Sequence, residues 1–507
     1  MESILEGVLD LLAEQDRSGA RELLDTVSRT GPEAPAARAL HRLLDPAPAA
    51  RFAGEPIDST PTNSPRARLF ERTAEASQAL REGRVEELVA GARTVWAAAA
   101  AEHPWVQLRG ASLLQAAFRF TGEADVFQEA VGACTRVGDR TKAPRIAVFG
   151  RALLGSLHMM AGRLHAAMDR LEAALGLAEA RTIGETSPAA LAWQFRGYVL
   201  WEWNRLEAAE ESLRGAWART TENDRGIRSG VARVLATLTA ALGRVEESDA
   251  WLRELEAVVA EPMTLRNREW IAAVRLTQAV LVSRAPGVEA ERRRAGVREV
   301  ERWRRSWSYD LPEVMGWTDA HLRTRLHELG HALTLLELTS QWETVRALAV
   351  RVEAGVGELR EGFRIHAVTV RAVALENLGR SAEADQAWAE ALARGEGEGF
   401  VRTYVDGSDP RARLHRRALA DPGTRSQAER ISRAAGGWPD SDDAVELTTR
   451  QLDVLRRLAE GDSNRTAAAA LGIAETTVKT HVRALLTRLG AESRTQAVAF
   501  ARRRGLL

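Results

Sequence analysis

Five side chains close to the C-terminus have the types and the spacing to grip a nucleic acid. Thr476, Lys479, Thr480, Arg483 and Thr487 share one face of any helix drawn through 475–489. Long cationic side chains donate to guanine edges and to phosphate oxygens, and threonine hydroxyls bind phosphate. Val478, Val482, Leu485 and Leu489 fall at i, i+4, i+7 and i+11 on another side, an apolar stripe that has to face a core. A second constellation would do different chemistry. His327-Glu328-Leu329-Gly330-His331 has the H-E-x-x-H spacing, which on a helix puts two imidazoles on one face to hold zinc. Glu328 would then be the general base and Glu337 a third ligand.

The elements around each set decide between them. Thr448 and Gln451 are spaced as a capping box, and Gly461 ends the helix they begin. Ser463 caps a second helix that stops at Gly472, and a third runs from about Glu475 to Leu489, ending at Gly490. Ser493 with Gln496 caps a fourth. A short helix, a glycine-centred turn and a longer helix are the parts of a helix-turn-helix reader. From Glu446 onward eleven Lys and Arg face six acids, a net +5, while the whole chain is neutral, so everything upstream sums to −5. Positive charge is concentrated on the piece shaped for DNA, as the release of condensed counterions favours.

The zinc spacing sits in a different setting. Leu326, Leu329, Leu333 and Leu336 form a core stripe with Gly330 allowing close approach, which is the pattern of one more repeat helix. The glycine and third histidine of the metzincin signature are replaced by Thr334 and Glu337. The segment is read as a repeat helix, and a zinc-dependent hydrolase is the alternative. Seven arginines between Arg292 and Arg305 are laced with Glu289, Glu291, Glu299 and Glu301 and read as a salt-bridged, solvated surface.

The C-terminal segment resembles the LuxR/NarL/FixJ-type DNA-binding domain over its full length. The matching pieces are Leu447-Thr448-x-Arg450, Val454-Leu455, Gly461-x-Ser463-Asn464, Thr477-Val478-Lys479-x-His481, Leu489-Gly490, and Arg494 followed by Ala497-Val498. The resemblance implies that the third helix enters the major groove and the fourth makes a dimer contact. By position, Lys479, Thr480 and Arg483 would read bases, with Thr477 near the backbone; Ser463, Asn464, Thr476 and Thr487 complete the expected DNA-binding set. Gln451 stands where Glu is usual, which keeps the capping box. Thr466-Ala467 replaces Glu-Ile, which would remove a capping glutamate and a large core residue, and Ala474 stands at the cap of the reading helix where Ser is common.

Upstream, glycine or polar corners followed by short acidic-apolar helix starts recur at Gly83, Gly122, Gly162, Asn204, Gly243, Gly287, Gln341 and Gly379, most of them 38 to 44 residues apart. Around Gly162 the flanking stripes read Phe149, Leu153, Ser156, Leu157, Met160, then Leu164, Ala167, Leu171, Ala174. Such helix pairs must stack on their neighbours to bury these stripes, and the period exceeds the roughly 34 residues of a plain tetratricopeptide repeat. Small residues such as Gly155, Ala208 and Ala384 near the corners fit close packing. Gly397 to Asp406 resembles a phrase that closes the sensor solenoid of maltose-regulator-like, large ATP-binding LuxR regulators. Those carry an NTPase module, but this sequence has no Gly-x-x-x-x-Gly-Lys-Ser/Thr, and its only lysines are Lys142 and Lys479.

Cys134 is the single cysteine, so no internal disulfide forms and a cytoplasmic location is expected. No apolar run approaches the length of a membrane span, and the acidic, amphipathic start is unlike a secretory signal. The expected fold is all-α, a TPR-like solenoid followed by a four-helix LuxR-type domain. The boundaries read as an N-terminal helical segment (1–44), a Pro-rich linker (45–65), the solenoid (66–420), a second linker (421–443) and the reader (444–507). The expected function is a bacterial transcription regulator, an activator by resemblance, and not an enzyme. Its expected partners are promoter DNA, RNA polymerase, a small-molecule or protein effector held by the solenoid (with tryptophans such as Trp193, Trp201 and Trp203 in the core or the groove), and a second copy of itself on DNA. No cofactor is expected. A pure protein-interaction scaffold is a further alternative.

Overall fold

The computed structural model of the chain describes residues 4–13, 17–25, 65–259 without 223, 341–435 without 356–358 and 406–408, and 449–503 without 490 and 492, together with single positions between 36 and 44 and between 271 and 278. The H-E-x-x-H segment, the Gly287 corner and the arginine-rich run lie outside the described residues. Every regular element among the described residues is an α-helix.

These residues divide into two compact units. The first takes those up to 278 together with 351–365 and 397–400, and the second takes the remainder. In the first, α1 (Ile4–Ala13) and α2 (Arg17–Asp25) precede five helix pairs. The pairs are α3 (Pro65–Glu82) with α4 (Val85–Ala99), α5 (Pro104–Thr121) with α6 (Ala124–Arg140), and α7 (Pro144–Met160) with α8 (Leu164–Ala180). Then follow α9 (Ser187–Glu202) with α10 (Leu206–Ala218) and α11 (Arg225–Ala241) with α12 (Val245–Val259). The chain continues with α13 (Trp342–Gly355), α14 (Glu361–Asn377) and α15 (Ser381–Glu396).

One corner device is used again and again. Gly83, Gly122, Gly162, Asn204, Gly243 and Gly379 all have positive φ, between 58° and 79°, so each reverses the chain as glycine does most easily; at Asn204 an asparagine takes the same conformation. At five of the six corners the next residue is an arginine whose N–H donates to the carbonyl five residues back: Arg84 to Ala79, Arg163 to His158, Arg205 to Leu200, Arg244 to Thr239 and Arg380 to Leu375, at 2.8–3.0 Å. That bond satisfies a helix-end carbonyl and fixes the angle of the following helix.

The repeat can be followed along the second helix of each pair. Five residues past the corner stand Leu88, Phe127, Ala167, Ala209, Ser248 and Ala384, all buried. Twelve past it stand Val95, Cys134, Ala174, Ala216, Leu255 and Ala391, none of them exposed at all. Cys134 is one rung of this column, and burial pushes its thiol far above the usual range. Ala208, expected as a contact residue, is only half-buried; its neighbour Ala209 takes the buried place. Phe149 and Met160 are likewise half-buried, while Leu153, Ser156 and Leu157 are buried as expected.

Small residues set how closely the helices meet. A Cβ added at Gly150 of α7 would lie 2.8 Å from the backbone nitrogen of Gly138 in α6, and one at Gly155 would lie 2.6 Å from Leu171 Cγ. Ion pairs then stitch successive pairs together on the surface. Arg93 of α4 meets Asp125 and Glu129 of α6, and Arg214 and Arg244 meet Glu247 and Glu210 between α10 and α12. Such exposed pairs each contribute about 0–1 kcal/mol, so burial, not charge, carries the array.

The first unit also grips chain from far along the sequence. Arg360 is 3% exposed, donates to the carbonyls of Phe118 (2.9 Å) and Arg119, and stacks on the Phe118 ring. Burial, with Arg119 beside it, pulls its pKa down to about 10. At the next corners, Glu361 packs against Gly162, the N–H of His165 donates to Glu398 Oε2 (3.0 Å), and Trp203 Nε1 donates to the Glu398 carbonyl (2.9 Å). Helix α1 is held as well, through His103 Nε2 and Asp10 Oδ1 at 3.0 Å.

In the second unit Trp388 of α15 is buried against Tyr404, whose hydroxyl donates to the Ala391 carbonyl at 2.6 Å. Glu376, at the end of α14, accepts from Arg413 (2.9 Å) and Arg417 (2.5 Å) of α16 (Asp409–Ala420). Burial raises the Glu376 pKa, but the hydrogen bonds from Arg417 and Arg413 outweigh it and hold the carboxyl below its usual range. The stretch read as a linker after 421 is helical over α17 (Arg425–Ala434). Ala428 and Ile431 are buried there because that short helix has an apolar stripe of its own.

Candidate nucleic-acid interface

Four helices form the C-terminal domain: α18 (Thr449–Ala459), α19 (Asn464–Leu471), α20 (Glu475–Leu489) and α21 (Arg494–Arg503). Val454, Leu455, Leu458, Ala467, Ala468, Val478, Leu485, Ala491, Ala497 and Ala501 are its buried core, with Val482 packed against them. The expected stripe of α20 is therefore inward at Val478, Val482 and Leu485; the side chain of Leu489 lies outside the described residues. Burying that stripe leaves the other face of α20 to solvent.

Glycine corners place the helices. Gly461 (φ 90°) ends α18 and Gly472 (φ 63°) ends α19. As in the array, the following N–H groups reach five residues back, Asp462 to Arg457 and Ile473 to Ala468, both at 3.1 Å. The start of α19 corrects the sequence reading. Thr466 does not cost the helix its capping box: Ser463 Oγ accepts from Thr466 N and Thr466 Oγ1 accepts from Ser463 N, each at 3.1 Å. A threonine hydroxyl reaches the backbone as the longer glutamate would. Ala474, with no side-chain acceptor, caps α20 through its carbonyl alone, which accepts from Thr477 and Val478 at 3.0 and 3.1 Å. At the start of α21, Gln496 N donates to Ser493 Oγ (3.2 Å). The partner box at Thr448 lies outside the described residues.

Of the expected contact residues, Thr476, Thr477, Lys479, Thr480 and Arg483 are exposed on α20, and Ser463 is exposed beside it on the turn. The side chain of Thr487 lies outside the described residues. Asn464 is half-buried with its Oδ1 buried and lacking a hydrogen-bond partner, which leaves its amide NH2 as the group able to reach a phosphate. Thr480 Oγ1 donates to the Thr476 carbonyl at 3.1 Å, so its outward lone pairs accept rather than donate. Two residues escaped the sequence reading. Arg465 is exposed in the first turn of α19, and Glu475 holds Lys479 Nζ at 2.9 Å across one turn of α20. The acid four residues before the lysine was the signal available for the second of these.

Comparison with known proteins agrees with both halves of this architecture. The family described as the MalT-like TPR region matches residues 73–421. The chain belongs to that family. A second description, bacterial regulatory proteins of the luxR family, matches residues 445–501, the four-helix domain. The chain is thus a MalT-like TPR array joined to a luxR-type helix-turn-helix domain.

Relatives are bacterial regulators. They include the nitrate/nitrite response regulator protein NarP of Escherichia coli (strain K12), 38% identical over 104 residues, 19% of this chain and 48% of that one. The glycerol metabolism activator of Pseudomonas putida is 44% identical over 85 residues, 17% of this chain and 36% of that one. The uncharacterized transcriptional regulatory protein YhcZ of Bacillus subtilis (strain 168) is 51% identical over 63 residues, 12% and 29% respectively. The chain spans less than half the length of each of these relatives. Among the described residues no group of three or more His, Cys, Asp or Glu side chains is placed to hold a metal ion, and no helix is long and apolar enough to cross a membrane.

Proposed function

We propose that the chain is a cytoplasmic transcription regulator that binds promoter DNA through α20 and takes its signal through the repeat array. The observation that carries this is the outward face of α20. Lys479 and Arg483 stand a turn apart with Thr476, Thr477 and Thr480, backed by a buried stripe that fixes which side faces out. Lys479 and Arg483 donate to guanine O6 and N7 in the major groove, and Thr477, Ser463, Asn464 and Arg465 position the helix on phosphates. Thr487 extends the same face. A second copy on DNA, contacting through α21, would place two reading helices about 34 Å apart on successive major grooves. The array receives a small molecule or protein, and the DNA-bound pair recruits RNA polymerase as an activator. The reading assigns no enzymatic step.

Binding of the full-length protein to genomic DNA fragments, measured against salt, tests this. Wild type should lose affinity steeply as salt rises, with Lys479→Ala and Arg483→Ala each weakening the preferred fragment about 5- to 100-fold at unchanged melting temperature. Wild-type binding with no salt dependence, or equal binding by both variants, would overturn the assignment.

A further inference from the structure

The reading face of α20 also carries an acid. Glu475 opens the helix, is 43% exposed in its side chain, and its carboxylate lies 2.9 Å from Nζ of Lys479, itself 59% exposed. A carboxylate in the first turn complements the helix dipole, which explains its place in the free protein. It does not explain what happens on DNA. The N-terminal part of a recognition helix is the part that meets base edges, and a carboxylate held there among phosphates repels every sequence unless a donor meets it. The major groove offers two amino donors, N4 of cytosine and N6 of adenine. Adenine sets its acceptor N7 beside N6, where a second acceptor is repelled, so cytosine is the better match. Thr480, its hydroxyl proton committed to the Thr476 carbonyl, adds another acceptor to the same face.

We propose that Glu475 is a specificity-determining residue that accepts from cytosine N4, while Lys479 donates to the guanine of the adjacent base pair. The spacing suits this. Residues 475 and 479 are four residues apart, about 6 Å along the axis, and long side chains span the difference from the roughly 3.4 Å step between pairs. In the free protein each side chain answers the other. On the right sequence each exchanges its partner for a base of opposite hydrogen-bonding sense, and on the wrong sequence the carboxylate is left facing an acceptor. The half-site should therefore contain two adjacent G·C pairs under the first turns of α20.

This inference rests on the DNA-binding reading above, and one experiment separates the two. Full-length wild type, Glu475→Gln, Glu475→Ala and Lys479→Met are each used to select from a random-sequence duplex library at moderate salt, with thermal melting as a check on folding. Wild type should enrich a motif holding two adjacent G·C pairs. Glu475→Gln should lose the cytosine preference at one position by about fivefold and move toward adenine, which glutamine reads through N6 and N7. Lys479→Met should relax the neighbouring position. Should either Glu475 variant fold poorly, the other gives the same answer at the cytosine position. If the Glu475 variants keep the wild-type motif and only bind all sequences more tightly, the carboxylate is a general repellent and the inference falls while the DNA-binding reading stands. If wild type enriches no motif, the reading beneath it falls as well.

Discussion

The array and the reader end their helices in the same way and begin them differently. In both, a residue with positive φ turns the chain and the next N–H reaches five residues back, as at Gly162–Arg163 and at Gly472–Ile473. After a corner in the array, the cap position is filled by Arg84, Arg163 or Arg205, none of which makes a side-chain capping bond. After a corner in the reader, Ser463 and Thr466 close a full box. The difference follows from what each helix can bury. The array helices that follow a corner, thirteen to seventeen residues long, are packed between neighbours and do without a side-chain cap. The eight residues of α19 bury little beyond Ala467 and Ala468, so polar bonds at its end matter more. Packing holds one region, and capping chemistry supports the other.

That contrast can be broken at its strongest point first. Gly150→Ala drives a methyl into the Gly138 backbone, where no flexible side chain can yield, and should destabilise the array by about 1–3 kcal/mol. Chemical denaturation followed by tryptophan fluorescence would measure it. Stability unchanged by the methyl would mean the helices do not meet as closely as described. A pH titration sharpens the contrast on the burial side. His415 of α16 is 1% exposed, near Trp388 and 2.8 Å from Ser432 Oγ, and burial lowers its pKa to about 4. Its unfolded form takes up a proton near the ordinary value of about 6.5, so the stabilisation is complete above that pH and is lost as pH falls toward 4. Hydrogen exchange of α16 and α17 should show protection falling by roughly 2–3 kcal/mol over this window. His415→Gln should flatten the profile, and a profile as steep in the variant would assign the pH dependence to other groups. The smallest effect is expected in the reader. Ser463→Ala removes the capping box and should cost about 1 kcal/mol, read from the exchange of α19 amides. An equal loss on Arg84→Ala, where no side-chain cap exists, would erase the distinction.

Most of the fold was legible because its two devices leave marks in single residues. Gly83, Gly122, Gly162, Gly243 and Gly379 mark corners by being glycine, and Asn204 does so because asparagine best tolerates the same conformation. The reading face was legible for a related reason: once Val478, Val482 and Leu485 must be inside, Lys479, Thr480 and Arg483 must be outside. What was not legible depended on reach or on tertiary neighbours. That Thr466 completes the cap turns on where a short hydroxyl sits relative to one N–H. That Ala209 rather than Ala208 is buried turns on a few tens of degrees of helix rotation. Helix α17 hid behind Asp421-Pro422-Gly423, which punctuates the chain strongly although Ala428 and Ile431 still find a core. The acid at 475 was visible but carried no meaning until Lys479 was seen to reach it.

Arg360 is 242 residues from the carbonyl it holds. In a stack with contacts only between neighbours, stability is a sum of local terms and the ends can fray independently. A bond of this span closes a loop, and closure couples what it encloses: α5 cannot loosen without releasing residue 360, and residue 360 cannot leave without uncovering the end of α5. The repeats between them therefore melt less like beads released one at a time than like a cord whose knot has to slip first, with a folding transition state that must gather distant chain before it gains that bond.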